Sequence, residues 1–578
     1  MSLFPGRPAR AAIIIWVAAC LVVRNTAGSE IFAEVTDSGL DFVQFNGATG
    51  DFYLPEITCG GAALFDYDND GDLDLYLLQG RLMSPDQVVS AAVSPPPEGV
   101  PLIDRLYRND SQILPDGAVQ LRFVDVTQES GIEAGNYGCA AAAADYDNDG
   151  WVDIYLANLG PNQLFHNEGN GSFREVPLEA GLDDPRWSIP VTWLDFDNDG
   201  WLDLYVGNYI EFDLDKQKIC RSQTGARDYC NPAAYLGVPD GLFRNTRDGA
   251  FADVSNTSGI VRPLSKSLGV VAADFNGDNL PDLYVTNDGV PNQLWIQTAE
   301  GRFVDDAMLA GCAVNRLGRP EASMGVDASD FDGDGDLDLF MTHLTGETNT
   351  LFLNDGQGMF EDRTVETGLG PPSWGYTSWG LAWMDYDNDG LLDIAVANGA
   401  VREVQELTDE GDPFPFHQPN QLFHYQGDGR YTDVSPQAGA AFQRSEVSRA
   451  LAVGDLDSDG DSDLLSVNLG RPARLLMNTV GQKRHWQGAR LLGGPGRRDM
   501  IGGRVELVLA NGERLWRRVK TDGSFASAND PRVLVGLGED VEVLALRTYW
   551  PAGRVTELRS PALDHYLIIE QPSIEMEP

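Results

Sequence analysis

Histidine, cysteine and basic residues are all scarce in this chain. Its 578 residues include six His, six Cys, and 41 Lys and Arg against 88 Asp and Glu, and the formal net charge is −47. A surface this acidic repels phosphates, which argues against nucleic acid as a partner. No Cys-x-x-Cys pair supports a zinc ribbon or a thioredoxin-type site, and the Gly-x-Ser-x-Gly and His-Glu-x-x-His motifs of hydrolases are absent.

Long apolar runs are lacking as well, apart from residues 11–23, which follow Arg7 and Arg10. This run is too short to span a bilayer and is typical of the apolar core of a signal peptide, which we predict over residues 1–28. We therefore expect a secreted protein. An alternative is a lipid anchor at Cys20, because the preceding Val-Ala-Ala resembles a bacterial lipobox. Only in that case would a membrane be a partner.

Aspartate is abundant, and much of it lies in seven copies of one nine-residue loop. The copies, numbered here as loops 1 to 7, read DYDNDGDLD, DYDNDGWVD, DFDNDGWLD, DFNGDNLPD, DFDGDGDLD, DYDNDGLLD and DLDSDGDSD. Asp occupies positions 1, 3, 5 and 9 of every loop, except for Asn276 at position 3 of loop 4. Carboxylates this close repel one another unless a cation lies among them, and Ca²⁺ accepts six to eight oxygens with flexible geometry.

We predict that each loop binds one Ca²⁺, about seven ions in all, through four side chains, the carbonyl oxygen of position 7 and a water. Position 6 is Gly in six loops and Asn279 in loop 4, which suits a sharp turn at positive φ. The predicted ligand residues, loop by loop and with position 7 included for its carbonyl oxygen, are Asp66, Asp68, Asp70, Asp72 and Asp74; Asp145, Asp147, Asp149, Trp151 and Asp153; Asp195, Asp197, Asp199, Trp201 and Asp203; Asp274, Asn276, Asp278, Leu280 and Asp282; Asp330, Asp332, Asp334, Asp336 and Asp338; Asp385, Asp387, Asp389, Leu391 and Asp393; Asp455, Asp457, Asp459, Asp461 and Asp463.

Two other interpretations of the loops are weaker. An EF-hand needs a bidentate Glu at position 12 and a helix on each side. Position 12 is instead apolar in most loops, as at Leu77, Leu156 and Val206, and the flanking runs are rich in β-branched and aromatic residues, which is typical of strands. A solvated acidic turn that binds nothing is the second alternative, and seven copies in one strand context disfavour it.

The loops recur 50 to 79 residues apart, and the same strand pattern surrounds each of them. One apolar strand precedes the loop, a second follows it, a third carries a leucine–aromatic pair, and a Gly-rich turn leads to a fourth. Four antiparallel strands make one propeller blade, so this pattern predicts an all-β, seven-bladed β-propeller over residues 29–481. Residues 31–36 match the fourth-strand pattern, which is missing after loop 7. We expect them to complete the last blade and close the ring.

Three connections between second and third strands are long: residues 81–104, 210–240 and 402–418. They are expected on the face opposite the loops, where long insertions usually build a binding surface. Neutral drift of surface loops is the alternative.

Five cysteines remain after removal of a signal peptide. Cys220 and Cys230 lie in one long connection and could form a disulfide, as expected of an exported protein. Cys59 and Cys139 precede equivalent innermost strands and could bridge two blades, which leaves Cys312 over. The alternative is that all five are buried free thiols.

A different segment begins near residue 482, where the acidic loops stop. Residues 482–571 carry 14 Lys and Arg against 11 Asp and Glu, and alternating apolar strands with Gly turns predict a small antiparallel β-domain, followed by a short tail at 572–578. Its mild positive charge would favour docking against the acidic ring, although a solvated mixed surface is an equal alternative.

The stretches RRDMIGGRVEL, DGSFASANDPRVLVGLG and YWPAGRV of this segment resemble the ASPIC/UnbV domain, and the loops resemble FG-GAP/VCBS repeats of integrin α-chain propellers. Together they are similar to the cartilage acidic protein and UnbV family over nearly the whole mature chain. The resemblance implies a secreted, calcium-loaded propeller with an adhesion or matrix-type role, and it carries the calcium residues over at every loop. Loop 4, with Asn276 and Asn279, is expected to bind its ion more weakly because it has one charge fewer.

We expect a binding module for an extracellular protein or glycan, and not an enzyme. His166 and His424 occupy matching third-strand positions, which indicates a structural role in the repeat, and the other histidines show no partner spacing. The alternative is a calcium-dependent polysaccharide lyase or hydrolase. Its candidate basic residues are Arg221, Arg227 and Arg402, in or beside the long connections.

Overall fold

The structure is a computed structural model, which describes residues 30–115, 119–177, 180–222, 225–539 and 541–572. The predicted signal peptide at residues 1–28, with Cys20, lies outside the described residues, as do residues 573–578. Strands dominate the chain, and the predicted all-β class is confirmed.

Residues up to Asn478 form seven four-stranded antiparallel sheets, named sheets 1 to 7 after the loop that each contains. In order from the innermost strand outward they consist of Ala62–Phe65, Asp74–Leu77, Arg105–Asn109 and Phe123–Asp125; Tyr137–Ala144, Asp153–Leu159, Gln163–Asn167 and Phe173–Glu175; Ser188–Leu194, Asp203–Asn208, Gly241–Asn245 and Phe251–Asp253; Ser267–Ala273, Asp282–Asn287, Gln293–Gln297 and Phe303–Asp305; Ser323–Ser329, Asp338–His343, Thr350–Asn354 and Phe360–Asp362; Ser378–Met384, Asp393–Asn398, Gln421–Tyr425 and Tyr431–Asp433; Ser448–Gly454, Asp463–Asn468, Arg474–Asn478 and Phe32–Val35.

The sheets form a closed, propeller-like ring. The first strand of each sheet contacts the first strand of the next, and that of sheet 7 contacts that of sheet 1. A separate apolar core fills the space between each pair of neighbouring sheets. The ring is thus held mainly by sheet-to-sheet packing of aliphatic and aromatic side chains.

The ends of the ring are joined through sheet 7, whose outermost strand comes from the other end of the chain. Phe32–Val35 pairs antiparallel with Arg474–Asn478, and Phe32 is fully buried against sheets 6 and 7. The expected closure by residues 31–36 is therefore present, and it pairs the edge of Arg474–Asn478 that would otherwise be open.

Helices are few and short in the described residues. The α-helices are Thr127–Ser130, Ser255–Ser258, Ala307–Ala310, Gly370–Ser373 and Gln405–Glu410, and the 3₁₀ turns include Leu54–Ile57, Val89–Ala91, Leu214–Lys216, Pro232–Ala234, Ser435–Gln437, Gly481–Lys483 and Pro551–Gly553. Among the described residues, three two-stranded sheets pair Gln112–Ile113 with Val119–Gln120, Cys220–Arg221 with Arg227–Asp228, and Gln418–Pro419 with Ser445–Glu446. None of the described helices is long and apolar enough to cross a bilayer.

From His485 onward the chain forms a separate β-domain, called here the tail domain. One of its sheets contains His485–Gly493, Arg498–Asp499, Val533–Gly538 and Tyr566–Glu570, and the other contains Arg504–Leu509, Arg514–Arg518, Val543–Tyr549 and Val555–Arg559. One apolar cluster lies between the two sheets. The change of sheet between Asn478 and His485 falls where the acidic loops stop in the sequence.

The tail domain lies on the loop face of the ring and inserts residues 521–530 into the ring axis. Within this segment Ser527–Ala528 pairs in parallel with the first strand of sheet 1, and the Val326 amide donates to the carbonyl oxygen of Ser524 at 3.1 Å. Phe525 is fully buried, with its ring centroid 4.9 Å from that of Trp379. The domains are therefore joined by backbone hydrogen bonds and a shared core.

Two disulfide bonds are present in the described residues. Cys220 pairs with Cys230 inside the second long connection, and Cys59 pairs with Cys139 between sheets 1 and 2, while Cys312 is buried and free. Cys139 lies inside the first strand of sheet 2, not before it as expected. The two expected pairings are therefore present, and the five cysteines are not all free thiols.

Candidate metal centres

Each loop passes twice through the left-handed region of backbone space. Position 6 has φ between 65° and 99°, and Asn279 of loop 4 adopts the same conformation as the six glycines. Position 4, which is Asn, Gly or Ser, has φ between 53° and 81°. Asn and Gly tolerate this region best. The sequence interpretation recognised the constraint at position 6 but missed the one at position 4.

Backbone amides orient the aspartates in the same way in all seven loops. The amide of position 6 donates to Oδ2 of position 1 at 2.8–3.2 Å. The amide of position 7 donates to Oδ1 of position 5 at 2.9–3.2 Å. Backbone hydrogen bonds thus set the orientation of these carboxylates.

The aspartate at position 9 begins the second strand and links it to the loop and to the third strand. Its Oδ2 accepts from the amide of position 2 at 2.8–3.3 Å. Its Oδ1 accepts from an amide of the third strand at 2.7–2.9 Å. Position 9 therefore has a structural role in addition to its predicted role as a ligand.

Several loop carboxylate oxygens are buried without any hydrogen-bond partner. Four of them belong to position 3, namely Oδ1 of Asp68, Asp147, Asp387 and Asp457. The Oδ1 atoms of Asp66 at position 1 and of Asp336 and Asp461 at position 7 are buried and unpartnered as well. An unpaired buried carboxylate oxygen is costly, so this donor set fits a hard divalent cation. At Asp336 and Asp461 the side chain is a candidate ligand, whereas the sequence indicated only the carbonyl oxygen of position 7.

Burial favours the protonated form of these carboxylates and therefore raises their pKa values. It raises the pKa of Asp145 to about 6, that of Asp153 to about 7 and that of Asp203 to about 8. The neighbouring aspartates of each loop raise these pKa values further. A cation among the carboxylates would reverse this effect, because it favours the charged form.

Two histidines lie at the loops, which the sequence interpretation did not anticipate. His166 Nδ1 is 3.1 Å from Asp153 Oδ1 and 3.3 Å from Asp147 Oδ2 in loop 2. His424 Nδ1 is 3.0 Å from Asp393 Oδ1 in loop 6. The hydrogen bond to Asp153 raises the pKa of His166, and that to Asp393 raises the pKa of His424. Their identical third-strand positions in the sequence were the available signal.

Neighbouring loops are linked by the asparagine at position 4. Asn69 of loop 1 donates to the Gly150 carbonyl of loop 2 at 2.8 Å, and Asn148 of loop 2 donates to the Gly200 carbonyl of loop 3 at 3.1 Å. Asn388 does the same from loop 6 to loop 7 at 2.9 Å. These links make parts of the loop face continuous.

The tail domain covers this face with a set of arginines. Hydrogen bonds join Arg490 to Asp66 in loop 1 at 3.3 Å and Arg498 to Asn148 in loop 2 at 3.0 Å. Further contacts to backbone carbonyls link Arg498 to Gly200, Arg504 to Gly335, Arg517 to Gly390 and Arg532 to Asp455, in loops 3, 5, 6 and 7. The cationic face of the tail domain thus meets the acidic face of the ring.

Loop 4 is the exception in this arrangement. In the described residues no arginine of the tail domain donates to it, and Asp274 is half-buried whereas the other six position-1 aspartates are buried. A cleft of about 110 Å³ separates loops 3 and 4 from the tail turn at residues 549–553. Loop 4, with Asn276 in place of Asp, is the most open of the seven.

The residues considered for catalysis are not gathered in a cleft. Arg221 and Arg227 face each other across one hairpin, and Arg402 is exposed in another connection. His343 contacts Ser323 Oγ at 3.0 Å through Nε2, but both side chains are buried. The same positions hold a Ser–Asn pair in other sheets, as at Ser188 and Asn208. The Ser323–His343 contact therefore belongs to the repeat.

Comparison with known protein families agrees with the two-part organisation. The family model described as "ASPIC and UnbV" matches residues 493–575, and "FG-GAP-like repeat" matches residues 145–206, 274–341 and 330–396. The chain carries FG-GAP-like repeats and an ASPIC/UnbV domain. Both resemblances predicted from the sequence are confirmed, and the tail domain is called the ASPIC/UnbV domain from here on.

Relatives named cartilage acidic protein 1 share the sequence over part of the chain. The Mus musculus protein is 30% identical and the Homo sapiens protein 29% identical over 171 residues, or 28% of this chain. The chain spans about a quarter of the length of these relatives, since the matches cover 25% and 24% of them.

Solved structures resemble the FG-GAP-repeat chain only loosely. An Agrocybe aegerita lectin specific for non-reducing terminal N-acetylglucosamine aligns at a TM-score of 0.37 and 14% identity, over 72% of this chain and 86% of the lectin. YCF48 bound to a D1 peptide aligns at a TM-score of 0.37 and 10% identity, over 78% of this chain and 99% of YCF48.

Proposed function

We propose that the ring of FG-GAP-like repeats is a secreted, seven-bladed, calcium-binding β-propeller that binds an extracellular protein or glycan. The observation that carries the calcium assignment is the set of buried, unpartnered carboxylate oxygens in the loops. In each loop positions 1, 3, 5 and 9 would hold the ion with a position-7 oxygen, and the ion would offset the repulsion among these groups. The two disulfides support export.

The ligand surface of this proposal is the face opposite the loops, because the ASPIC/UnbV domain covers the loop face and its segment 521–530 fills the axis. Three chain segments meet near the axis on the opposite face. Gln217 Nε2 donates to the Asp51 carbonyl at 2.9 Å, and the Tyr229 hydroxyl donates to Glu56 Oε2 at 2.9 Å. The Tyr229 ring also lies 5.9 Å from that of Phe416. The long connections 210–240 and 402–418 therefore form one joined surface with residues 51–56, which suits a binding role.

A binding experiment with matched variants tests this surface. The purified protein would be applied, with about 2 mM Ca²⁺, to an array of extracellular-matrix proteins and glycans. We expect a ligand whose binding is lost in Arg221→Glu, on the second long connection, and kept in Arg559→Glu, which is also an exposed arginine but lies in the ASPIC/UnbV domain. Equal loss in both variants would contradict the placement of the site.

The choice of a binder over an enzyme has support of its own. Neither the matched family descriptions nor the names of the relatives denote an enzyme. An assay for shortened or unsaturated sugars, run on the same glycans, tests the choice directly. A product that disappears when a residue outside the loops is replaced would favour the lyase or hydrolase alternative.

A further inference from the structure

Loops 2 and 6 differ from the other five in one residue of the third strand. This residue precedes the one whose amide donates to the position-9 aspartate, and it is His166 in sheet 2 and His424 in sheet 6. The equivalent residues of sheets 1, 3, 4, 5 and 7 are Arg108, Arg244, Ile296, Leu353 and Met477. Two loops of the repeat therefore have an imidazole where the others have none.

The imidazole of His166 lies among the ligand carboxylates of its loop. Its Nδ1 is 3.1 Å from Asp153 Oδ1 and 3.3 Å from Asp147 Oδ2, and its Nε2 is 4.0 Å from Asp149 Oδ2. Two atoms that bind one zinc ion at about 2.1 Å in tetrahedral geometry lie about 3.4 Å apart, so the Nδ1 separations suit a shared ion. His166, Asp147 and Asp153 form one group whose ligand atoms all lie within 4.8 Å of one another.

Loop 6 contains a looser version of this group. His424 Nδ1 is 3.0 Å from Asp393 Oδ1, whereas Oδ2 of Asp387 lies 3.1 Å from Arg484 Nη1. His424, Asp387 and Asp393 form the equivalent group, again within 4.8 Å, and Asp393 is fully buried. In both loops the remaining position-3 oxygen, Oδ1 of Asp147 or of Asp387, is buried and has no hydrogen-bond partner. Each group thus combines a nitrogen donor with an oxygen that lacks a partner.

We propose that loops 2 and 6 are sites for a divalent transition-metal ion such as Zn²⁺, with His166 and His424 as nitrogen ligands beside the aspartates of positions 3 and 9. The inference refines the proposed function for these two loops and leaves Ca²⁺ as the ion of the other five. The reason is ligand chemistry, because imidazole favours zinc-like ions over calcium, whereas an all-oxygen set favours calcium. Binding through Nδ1 requires the hydrogen on Nε2, which then faces Asp149 in loop 2.

A zinc titration in excess calcium tests the proposal. The full chain, stripped of metal and returned to about 2 mM Ca²⁺, is titrated with Zn²⁺ by calorimetry, and Co²⁺ absorption reports the ligand field. We expect two zinc ions per chain to bind against the calcium background. In the double variant His166→Leu and His424→Leu both sites should weaken about tenfold or more.

Two further variants serve as controls. Arg244→Leu makes the matched change in sheet 3, where no histidine is present, and should leave zinc binding unchanged. Leu353→His places an imidazole at the equivalent position of sheet 5 and should add a third zinc site.

The outcomes separate this inference from the proposed function. Calcium bound to the loops with zinc binding that is equal in the double variant and the wild type would overturn the inference, because the histidines would then only pair with carboxylates. Two histidine-dependent zinc sites in a protein that binds no calcium would support the inference and overturn the calcium assignment. If the double variant does not fold, NMR spectra of wild-type protein labelled with ¹⁵N-histidine test the inference instead. Zinc should then change the Nδ1 chemical shift of two of the six histidines.

Discussion

A carboxylate oxygen that is buried without a partner is costly, and this chain buries several of them in its loops. Unpartnered oxygens recur at position 3 of four loops, so the energetic cost of burying them is a property of the repeat and not of one local packing defect. At the scale of single residues, stability should therefore depend on whether an ion accompanies each carboxylate.

Asp457→Asn tests that dependence in loop 7, where the position-3 Oδ1 is also buried without a partner. In calcium the variant loses a charged ligand, and we expect the free energy of unfolding to fall by about 1–3 kcal/mol. In EDTA the same change removes charge repulsion, so the variant should be no less stable than the wild type. Thermal unfolding in both buffers measures the difference, with the exposed Asp428→Asn as the control. An equal loss in both buffers would mean that Asp457 stabilises without a cation.

Glu56, near the ring axis, gives a prediction about pH. It is fully buried, Oε1 has no partner, and burial raises its pKa to about 8. The pKa of Glu56 in the folded protein exceeds its value of about 4.3 in the unfolded chain. Protonated Glu56 therefore makes its full contribution to the free energy of unfolding below the unfolded pKa, and this contribution is lost as the pH rises through the folded pKa.

Glu56→Gln should remove this part of the pH dependence. We expect the melting temperature, measured in saturating calcium, to fall less between about pH 5 and pH 9 in the variant than in the wild type. Parallel curves would show that Glu56 does not titrate in this range.

At the scale of the elements, the loop is determined by backbone conformation as much as by ligands. Asn148 shows this, since it has φ of 58°, donates to Gly200 O and accepts from Arg498. Asn148→Ala would lose both hydrogen bonds and strain the backbone, whereas Asn148→Gly would lose only the hydrogen bonds. We expect the free energy of unfolding in urea to be about 1 kcal/mol lower for the alanine variant than for the glycine variant. Equal stabilities would mean that the backbone conformation carries no cost at this position.

Local patterns made much of each element predictable from the sequence. The structure contains the predicted loops, the alternation of strands and turns, and the fourth strand of sheet 7 at Phe32–Val35, which comes from the other end of the chain. Each of these features is encoded by residues close together in the chain. The contacts of His166 and His424 with the loop aspartates, and the backbone constraint at position 4, were missed. They depend on how the third strand and the next loop approach in space, which spacing along the chain does not encode.

At the scale of the whole molecule, the ASPIC/UnbV domain and the ring form one body. The sequence indicated only a mild positive charge on this domain and left docking open. It gave no sign that residues 521–530 enter the ring axis, because that insertion depends on contacts between residues far apart in the chain, such as Leu381 and Ser524 at 3.0 Å.

Phe525→Ala tests this union. The ring of Phe525 is fully buried against Trp379, so its removal should cost about 3–5 kcal/mol. Calorimetry should show a single transition in the wild type and a lower melting temperature in the variant, with Phe525→Leu costing less than about 1.5 kcal/mol. Two separate wild-type transitions, one of them unaffected by Phe525→Ala, would contradict a shared core.

The seven loops together give the molecule an acidic face, and repulsion among its carboxylates opposes folding unless cations are bound. The most direct measurement is the calcium content of the purified, folded chain after dialysis against about 1 mM Ca²⁺. The account predicts about seven ions per chain in a protein free of transition metals. A folded chain that retains less than about one ion would contradict it.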